Sequence, residues 1–148
     1  MACEHRYRRM AQFAETDLAG IVHFSQYLRY AEEAEHAFLR SVGLGVHSRA
    51  DEPGYGFPRV GVRCEYRRPI RFEDEFEVHI WLHRKGSSTL TYHFTITNGS
   101  EVAARGEVQA ICCRRSAENK LEVIPLPRDF EATLEEAPYP PLVFRERS

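Results

Sequence analysis

The run Asp17-Leu18-Ala19-Gly20-Ile21-Val22-His23-Phe24-Ser25-Gln26-Tyr27 sets one carboxylate and a glycine ahead of two β-branched residues, directly before a stretch with helical spacing. The start of a helix offers unpaired N–H groups and the positive end of the macrodipole, where an oxyanion or a polarised carbonyl is stabilised. A carboxylate just upstream could attack such a carbonyl or deprotonate a water aimed at it, which suits acyl transfer. On spacing alone the commoner reading is a turn. In that reading Asp17 caps its own backbone and Gly20 permits the bend, because Asp-x-x-Gly is a frequent loop pattern.

The elements that must hold this stretch follow from periodicity. From Tyr27 onward the apolar residues Tyr27, Tyr30, Ala31, Ala34, Ala37, Phe38 and Val42 recur at spacings of three and four, with Arg29, Glu32, Glu33, His36 and Arg40 opposite. This predicts one amphipathic helix of roughly four turns. Ser25 would cap it by accepting a first-turn amide, and Gly43 would end it in a left-handed conformation. His5, Tyr7, Arg9, Ala11 and Phe13 alternate with more polar neighbours and predict a first strand. Leu44 to Pro58 is rich in breakers and reads as a loop, long enough to be a binding element.

From Arg59 the period becomes two. Val60, Val62, Cys64 and Tyr66 share one side, as do Phe76, Val78, Ile80 and Leu82 in the next run. Leu90, Tyr92, Phe94 and Ile96 follow, then Val102, Ala104, Val108, Ala110 and Cys112, with Asn98-Gly99 between them as a type I′ hairpin signal. Strand, helix and four further strands in a meander make an α+β fold, with one long helix on the apolar face of a five-stranded antiparallel sheet. Pro125, Pro127, Pro138, Pro140 and Pro141 keep the tail from about 125 out of any central strand. A short helix near Asp129–Glu136 would use Phe130 and Leu134.

At 148 residues the chain has room for one domain with a proper core, spanning 1–148. Lys+Arg 20 against Asp+Glu 22, spread without blocks, argues against a nucleic-acid surface. The four cysteines, Cys3, Cys64, Cys112 and Cys113, form no C-x-x-C pattern, as expected of reduced thiols in a cytosolic protein. Cys112 and Cys113 read as strand thiols, one inward and one outward. No spacing supports a metal site. Met1–Arg6 is polar and no stretch approaches a membrane span, so a cytoplasmic protein without membrane contact is expected.

The run from Asp17 to Tyr30 resembles the signature of the 4-hydroxybenzoyl-CoA thioesterase-like family of hotdog-fold acyl-CoA thioesterases, and the similarity extends to about Pro127. The resemblance implies the hotdog fold, one long central helix wrapped by the five-stranded sheet, and hydrolysis of an acyl-CoA thioester to a free acid and coenzyme A. It puts Asp17 at the family's catalytic carboxylate, as nucleophile or general base. A thioester has a good leaving group, so no metal is needed, and coenzyme A enters as part of the substrate rather than as a cofactor. Gly20, Val22, His23, Phe24 and Tyr27 would form the substrate site, with the backbone N–H near Phe24 polarising the carbonyl.

One branch of the family carries Tyr-His where His23-Phe24 stand here, so that branch's histidine role does not transfer. His23 then reads as a polar wall or a hydrogen-bonded histidine. Glu32 matches an acidic position in other members and would assist the water or hold a substrate hydroxyl. From the helix pattern alone Glu32 and Glu33 are solvated charges, with Arg29–Glu33 and His36–Arg40 contacts at i,i+4. Arg84, Lys85, Ser87 and Ser88 resemble the family segment that meets the coenzyme A nucleotide, and by sequence alone they are also an ordinary polar turn.

The family pairs as dimers with a joined sheet, often as tetramers, so a homo-oligomer is expected, with at least one of His79, His83 and His93 covered by the partner subunit. Phe24 and Tyr27 suit aromatic acyl groups, while aliphatic groups and an acyl-carrier-protein donor stay open. A hotdog hydratase would need a different His and acid arrangement, and a non-catalytic acyl-CoA binder would have lost Asp17.

Overall fold

The computed structural model describes residues 1–47 and 54–145. Strand β1 (Glu4–Met10) runs through a 3-10 turn (Phe13–Glu15) and the Asp17 loop into helix α1 (Gln26–Ser41). The short β2 (Tyr55–Gly56) precedes β3 (Arg59–Tyr66), β4 (Glu75–Lys85), β5 (Thr89–Asn98) and β6 (Glu101–Ile111). After these come β7 (Cys113–Arg115), β8 (Leu121–Val123) and helix α2 (Arg128–Thr133). The architecture is α+β: a five-stranded antiparallel sheet in the order β1-β4-β5-β6-β3, plus a small sheet of β2, β7 and β8.

That order corrects the four-strand meander. Only β4, β5 and β6 follow one another; β3 pairs with β6 at the far edge, and β1 lies beside β4 from Glu4↔Trp81 to Met10↔Glu75. Alternation fixes the face a side chain joins, not the strand that lies alongside. The hairpin turn also sits one residue later than expected. Asn98 pairs with Glu101, so Gly99 and Ser100 form the loop, and only Gly99 has a positive φ, +64°. A positive φ at the first central position alone belongs to type II′, not type I′.

Helix α1 has 16 residues and leans on β1 and β4. It stops at Ser41, short of Gly43, which caps it from outside at φ +80°. The Gly43 N–H donates to the Arg40 carbonyl (3.1 Å) and the Leu44 N–H to the Leu39 carbonyl (2.8 Å), the paired bonds of a Schellman motif. The N-terminal cap departs from expectation. Ser25 has helical φ and ψ, and its Oγ lies 2.7 Å from His23 Nδ1 instead of reaching a first-turn amide.

Tyr30, Ala31, Ala34, Phe38 and Leu39 of α1 are buried against Val78, Ile80, Leu82, Phe94 and Ile96 of the sheet. Each large side chain fully buried there stabilises the fold by roughly 1.5–3 kcal/mol. Because α1 covers the β1–β4 half of this face, Val60, Val62 and Tyr66 of β3 remain exposed on the other half.

The opposite face is covered by the chain's own tail, which reaches His93. The Leu142 N–H donates to His93 Nδ1 (3.5 Å), and Phe144 packs edge-on to His93 under the guanidinium of Arg63 at 4.5 Å. Tyr139 stands beside Trp81 and His79. Helix α2 is shorter than the expected Asp129–Glu136, though Phe130 and Leu134 are both buried as anticipated. Cys113 is buried like Cys112, so neither thiol of the pair points outward. Part of the loop expected over Leu44–Pro58, residues 48–53, lies outside the described residues.

Candidate active site

The Asp17 loop is closed by its own backbone. Thr16 bridges Val22, the Asp17 N–H donates to the Ile21 carbonyl (2.8 Å), and the Gly20 N–H donates to the Asp17 carbonyl (3.0 Å). Gly20 adopts φ +79°, where a side chain is disfavoured, which is why glycine stands there. Asp17 Oδ1 accepts the Ala19 N–H at 2.8 Å, so the turn reading of the spacing holds for one carboxylate oxygen. Among the described residues nothing holds the other, and the side chain is exposed.

Asp17 opens onto a groove of about 790 Å³ that it shares with Val22, Phe24 and Tyr27, while Tyr66, Arg67 and Arg68 form the far wall. The Tyr66 hydroxyl donates to the Phe24 carbonyl at 3.0 Å and its ring meets Tyr27 edge-on at 5.0 Å, so β3 sets the position of the helix entry. Burial above all, with the charge of Asp17 adding to it, pushes the Tyr27 phenol up, so it remains a hydrogen-bond donor at neutral pH. The Phe24 N–H makes no hydrogen bond to any described residue. A carboxylate oxygen, an unpaired amide and a protonated phenol thus belong to residues around one cleft, whose far wall carries Arg68 and an Arg67 paired with Glu65. Such a set can activate water, polarise a carbonyl and receive an anion.

Not every residue expected at this site is there. Gly20 shapes the turn without lining the groove. The Ser25 N–H donates to His23 Nδ1 (3.2 Å), which makes that nitrogen an acceptor and assigns the ring proton to Nε2. Glu32 faces a second cavity beneath α1, 3.5 Å from Arg59, and Glu33 pairs with Arg9 (2.7 Å) and Tyr7 (2.9 Å) of β1 instead of Arg29.

The turn carrying Arg84, Lys85, Ser87 and Ser88 closes the opposite end of β4. Ile21 bridges Arg71 just before β4 starts, and 11 residues of strand separate the two ends. Within one chain the turn is therefore roughly 30 Å from Asp17. Lys85 Nζ donates to the carbonyls of Glu131 (3.1 Å) and Leu134 (2.8 Å), the favourable place for a cation at the end of α2. Arg84 and Ser87 are exposed.

Sequence reasoning missed the group that fixes the loop. Glu15 accepts two hydrogen bonds from Arg9, one from the Gln12 N–H (2.8 Å) and one from the Tyr30 hydroxyl (2.8 Å), while its carbonyl takes the His23 N–H (2.8 Å). One carboxylate thereby ties β1, the Asp17 loop and α1 together. Burial works against its ionisation, but the bonds from Arg9, Gln12 and Tyr30 outweigh it and hold the carboxyl below the usual range. A folded-state value below the unfolded one means that the unfolded chain binds more protons in acid. The stabilisation is complete above about pH 4.3 and disappears as pH falls through the folded value. Urea unfolding across pH 2 to 6 should therefore show stability falling in acid, with a shallower fall in Glu15→Gln. Glu4 and Glu65, also held low, contribute with the same sign, so some slope persists in that variant.

One helix laid on a five-stranded antiparallel sheet, with a lone carboxylate in the loop that enters the helix, is a hotdog-class arrangement, and the comparisons with known proteins agree. The Thioesterase-like superfamily matches residues 11–134, and the chain belongs to that family. A putative esterase of Aquifex aeolicus is 42% identical over 90 residues, 61% of this chain and 70% of that protein. A 1,4-dihydroxy-2-naphthoyl-CoA hydrolase of Thermosynechococcus vestitus is 27% identical over 133 residues, 89% of each chain. The crystal structure of a hypothetical protein from Aquifex aeolicus superposes with a TM-score of 0.80 at 31% identity, covering 88% of this chain and 99% of that one.

Proposed function

We propose that the protein hydrolyses an acyl-CoA thioester to a free carboxylic acid and coenzyme A, as a hotdog thioesterase of the 4-hydroxybenzoyl-CoA type with the helix as its central element. The observation that carries the reading is the exposed Asp17 carboxylate, half engaged by its own turn, on a groove that also holds the unpaired Phe24 N–H and the Tyr27 phenol. The thioester carbonyl would sit against the Phe24 amide. Asp17 would then either take a proton from water as that water attacks, or attack the carbonyl carbon itself to give an anhydride that water opens. In both cases the C–S bond breaks, coenzyme A leaves as a thiolate, and the oxygen of water is the one gained in hydrolysis. The name of the Thermosynechococcus relative supports an aromatic, hydroxylated acyl group.

Arg68 flanks the groove and suits a phosphate of the coenzyme, whereas the Arg67 guanidinium is already held by Glu65 at 2.8 Å. A role in nucleotide binding for Arg84, Ser87 and Ser88 needs a second protomer to bring that turn to Asp17. The exposed edge of β3, with Val60 and Val62, is the edge we assign to a joined sheet, since Arg6 and Arg8 guard the edge of β1. Free cysteines throughout fit a cytoplasmic setting, and no helix among the described residues is long and apolar enough to cross a membrane.

The test is thiol release from a panel of aromatic and aliphatic acyl-CoAs. Rapid release from at least one, fastest among the aromatic thioesters, is expected. A folded protein that binds acyl-CoA and releases no thiol would make it a binding module, and release from acyl carrier protein alone would change the donor.

A further inference from the structure

Residues 139–145 cross the face of the sheet away from α1 and meet its strands in their spatial order. The Tyr139 ring packs edge-on to Trp81 at 5.6 Å and to His79 at 5.8 Å on β4, and its hydroxyl donates to Glu4 of β1. Over β5 the Leu142 N–H reaches His93 Nδ1 at 3.5 Å. Farther on, the Val143 carbonyl accepts from Arg105 of β6, Phe144 lies under the Arg63 guanidinium, and the Arg145 N–H donates to Glu65 of β3 at 3.0 Å. No helix or strand includes this segment, so these contacts hold it down.

A buried histidine stands under the middle of the segment. The Leu142 N–H makes His93 Nδ1 an acceptor, which puts the ring proton on Nε2, 2.9 Å from Glu107 Oε1 of β6. The ring is therefore neutral while the tail is down. From β4 the His83 ring stacks on it at 4.0 Å, and the tail brings only the uncharged Leu142 and Phe144. A second proton, on Nδ1, would point an N–H at the Leu142 N–H and set a cation against the His83 ring. Burial above all, with His83 adding to it, outweighs the pull of Glu107 and holds the pKa of His93 below the ordinary histidine range.

We propose that residues 139–145 are a pH-sensitive strap, latched across the sheet while His93 is neutral and released when His93 gains a proton. The released state binds more protons than the latched one, so docking is complete above about pH 6.5 and weakens below it, by up to about tenfold per pH unit. The charged contacts stay unchanged in that range. Tyr139 and Arg145 themselves hold the carboxyls of Glu4 and Glu65 low, so both remain ionised, as do Arg63 and Arg105. His79 adds to the same sign, since burial and then Arg6 outweigh Glu4 and Glu77, but it makes no hydrogen bond to the strap. At Trp81 release is favoured: its buried indole N–H meets no acceptor among the described residues, and water satisfies it once the strap lifts. The change also reaches the Asp17 groove, because Glu65, which loses the Arg145 N–H, holds Arg67 of the far wall at 2.8 Å.

Trp81 is the chain's single tryptophan and lies under Tyr139, so its emission reports the strap. Emission wavelength and quenching by acrylamide would be followed as the pH of the full-length protein is lowered, with far-ultraviolet circular dichroism at each point. A reversible red shift and several-fold easier quenching are expected between about pH 6.5 and 5, with the dichroism unchanged, because the carboxylates that secure the fold are protonated only below that window. In His93→Gln, neutral at every pH, the transition should vanish or move lower by about one pH unit or more. His83→Gln changes a half-buried ring and removes a like charge, so it should move the midpoint up. The proposal is overturned if the native protein shows no shift above about pH 5, if the shift coincides with loss of the dichroism, or if neither variant moves the midpoint.

Discussion

Asp17→Asn should lower kcat for thioester hydrolysis by about two to four orders of magnitude, with KM changed only a fewfold. The amide keeps an oxygen that can accept the Ala19 N–H, so the turn that presents the side chain survives. What it loses is the negative charge on the oxygen that no described residue holds. Neither an attack on a carbonyl carbon nor a proton transfer from water is open to a neutral amide. Thiol release with the best acyl-CoA of the panel measures the loss. An unchanged thermal midpoint shows that the loop still closes on Glu15 and Tyr30. A variant that keeps near-native turnover would reduce Asp17 to the turn cap that its spacing alone describes, and catalysis would have to be sought in another group.

Much of the arrangement around Asp17 could be read in the chain because its determinants are local. Helix α1 follows from apolar residues three and four apart, its end from one glycine, and the faces of β4 and β5 from strict alternation. Phe24 and Tyr27, on the loop and the first turn of the helix, are placed beside Asp17 by the resemblance to the thioesterase family, and they line its groove. What escaped reading depends on contacts between distant residues. Arg9 and Glu15 are six apart, across a 3-10 turn with no periodic signal, and the Glu15–Tyr30 bond joins a loop to the middle of a helix. The place of β3 at the far edge is a pairing choice that alternation leaves open.

Two further misses did leave a trace. Glu35 lies four residues after Ala31 and four before Leu39, both buried, so the helical period puts a carboxylate inside the apolar stripe. A charge there demands a partner, and Arg59 is the one that reaches it. In Glu32-Glu33-Ala34-Glu35-His36 the three acids look alike, yet the fold divides them between two cations: Glu32 and Glu35 toward Arg59, Glu33 toward Arg9. Lys85 belongs to the turn that resembles the family's nucleotide-binding segment, but a short helix 46 residues downstream already engages its charge. Type and spacing mark a residue as able to bind a phosphate, and tertiary contacts decide whether it is available.

Gly106→Ala should destabilise the fold by about 3 kcal/mol and lower the melting temperature by roughly 10 °C. Gly106 sits in the middle of β6, opposite Cys64 of β3 and Phe94 of β5. A Cβ there would stand 2.2 Å from the Arg63 carbonyl oxygen and 2.5 Å from the Phe94 ring. A ring edge can tilt, but a carbonyl oxygen moves only with its strand, so relief requires β3 to lift from β6. Gly61→Ala is the matched control, since its Cβ would meet nothing closer than the Gln109 side chain at 3.8 Å, and it should change stability by less than about 1 kcal/mol. The consequence also reaches the site. Tyr66 follows Cys64 by two residues on β3 and holds the Phe24 carbonyl at 3.0 Å, so a lifted β3 carries away the hydroxyl that fixes the helix entry. Turnover by Gly106→Ala should therefore fall even at temperatures where the protein remains folded, while turnover by Gly61→Ala should not. Equal melting temperatures for the two variants would mean that β3 is free to slide along β6, and its position could not then be what orders the groove.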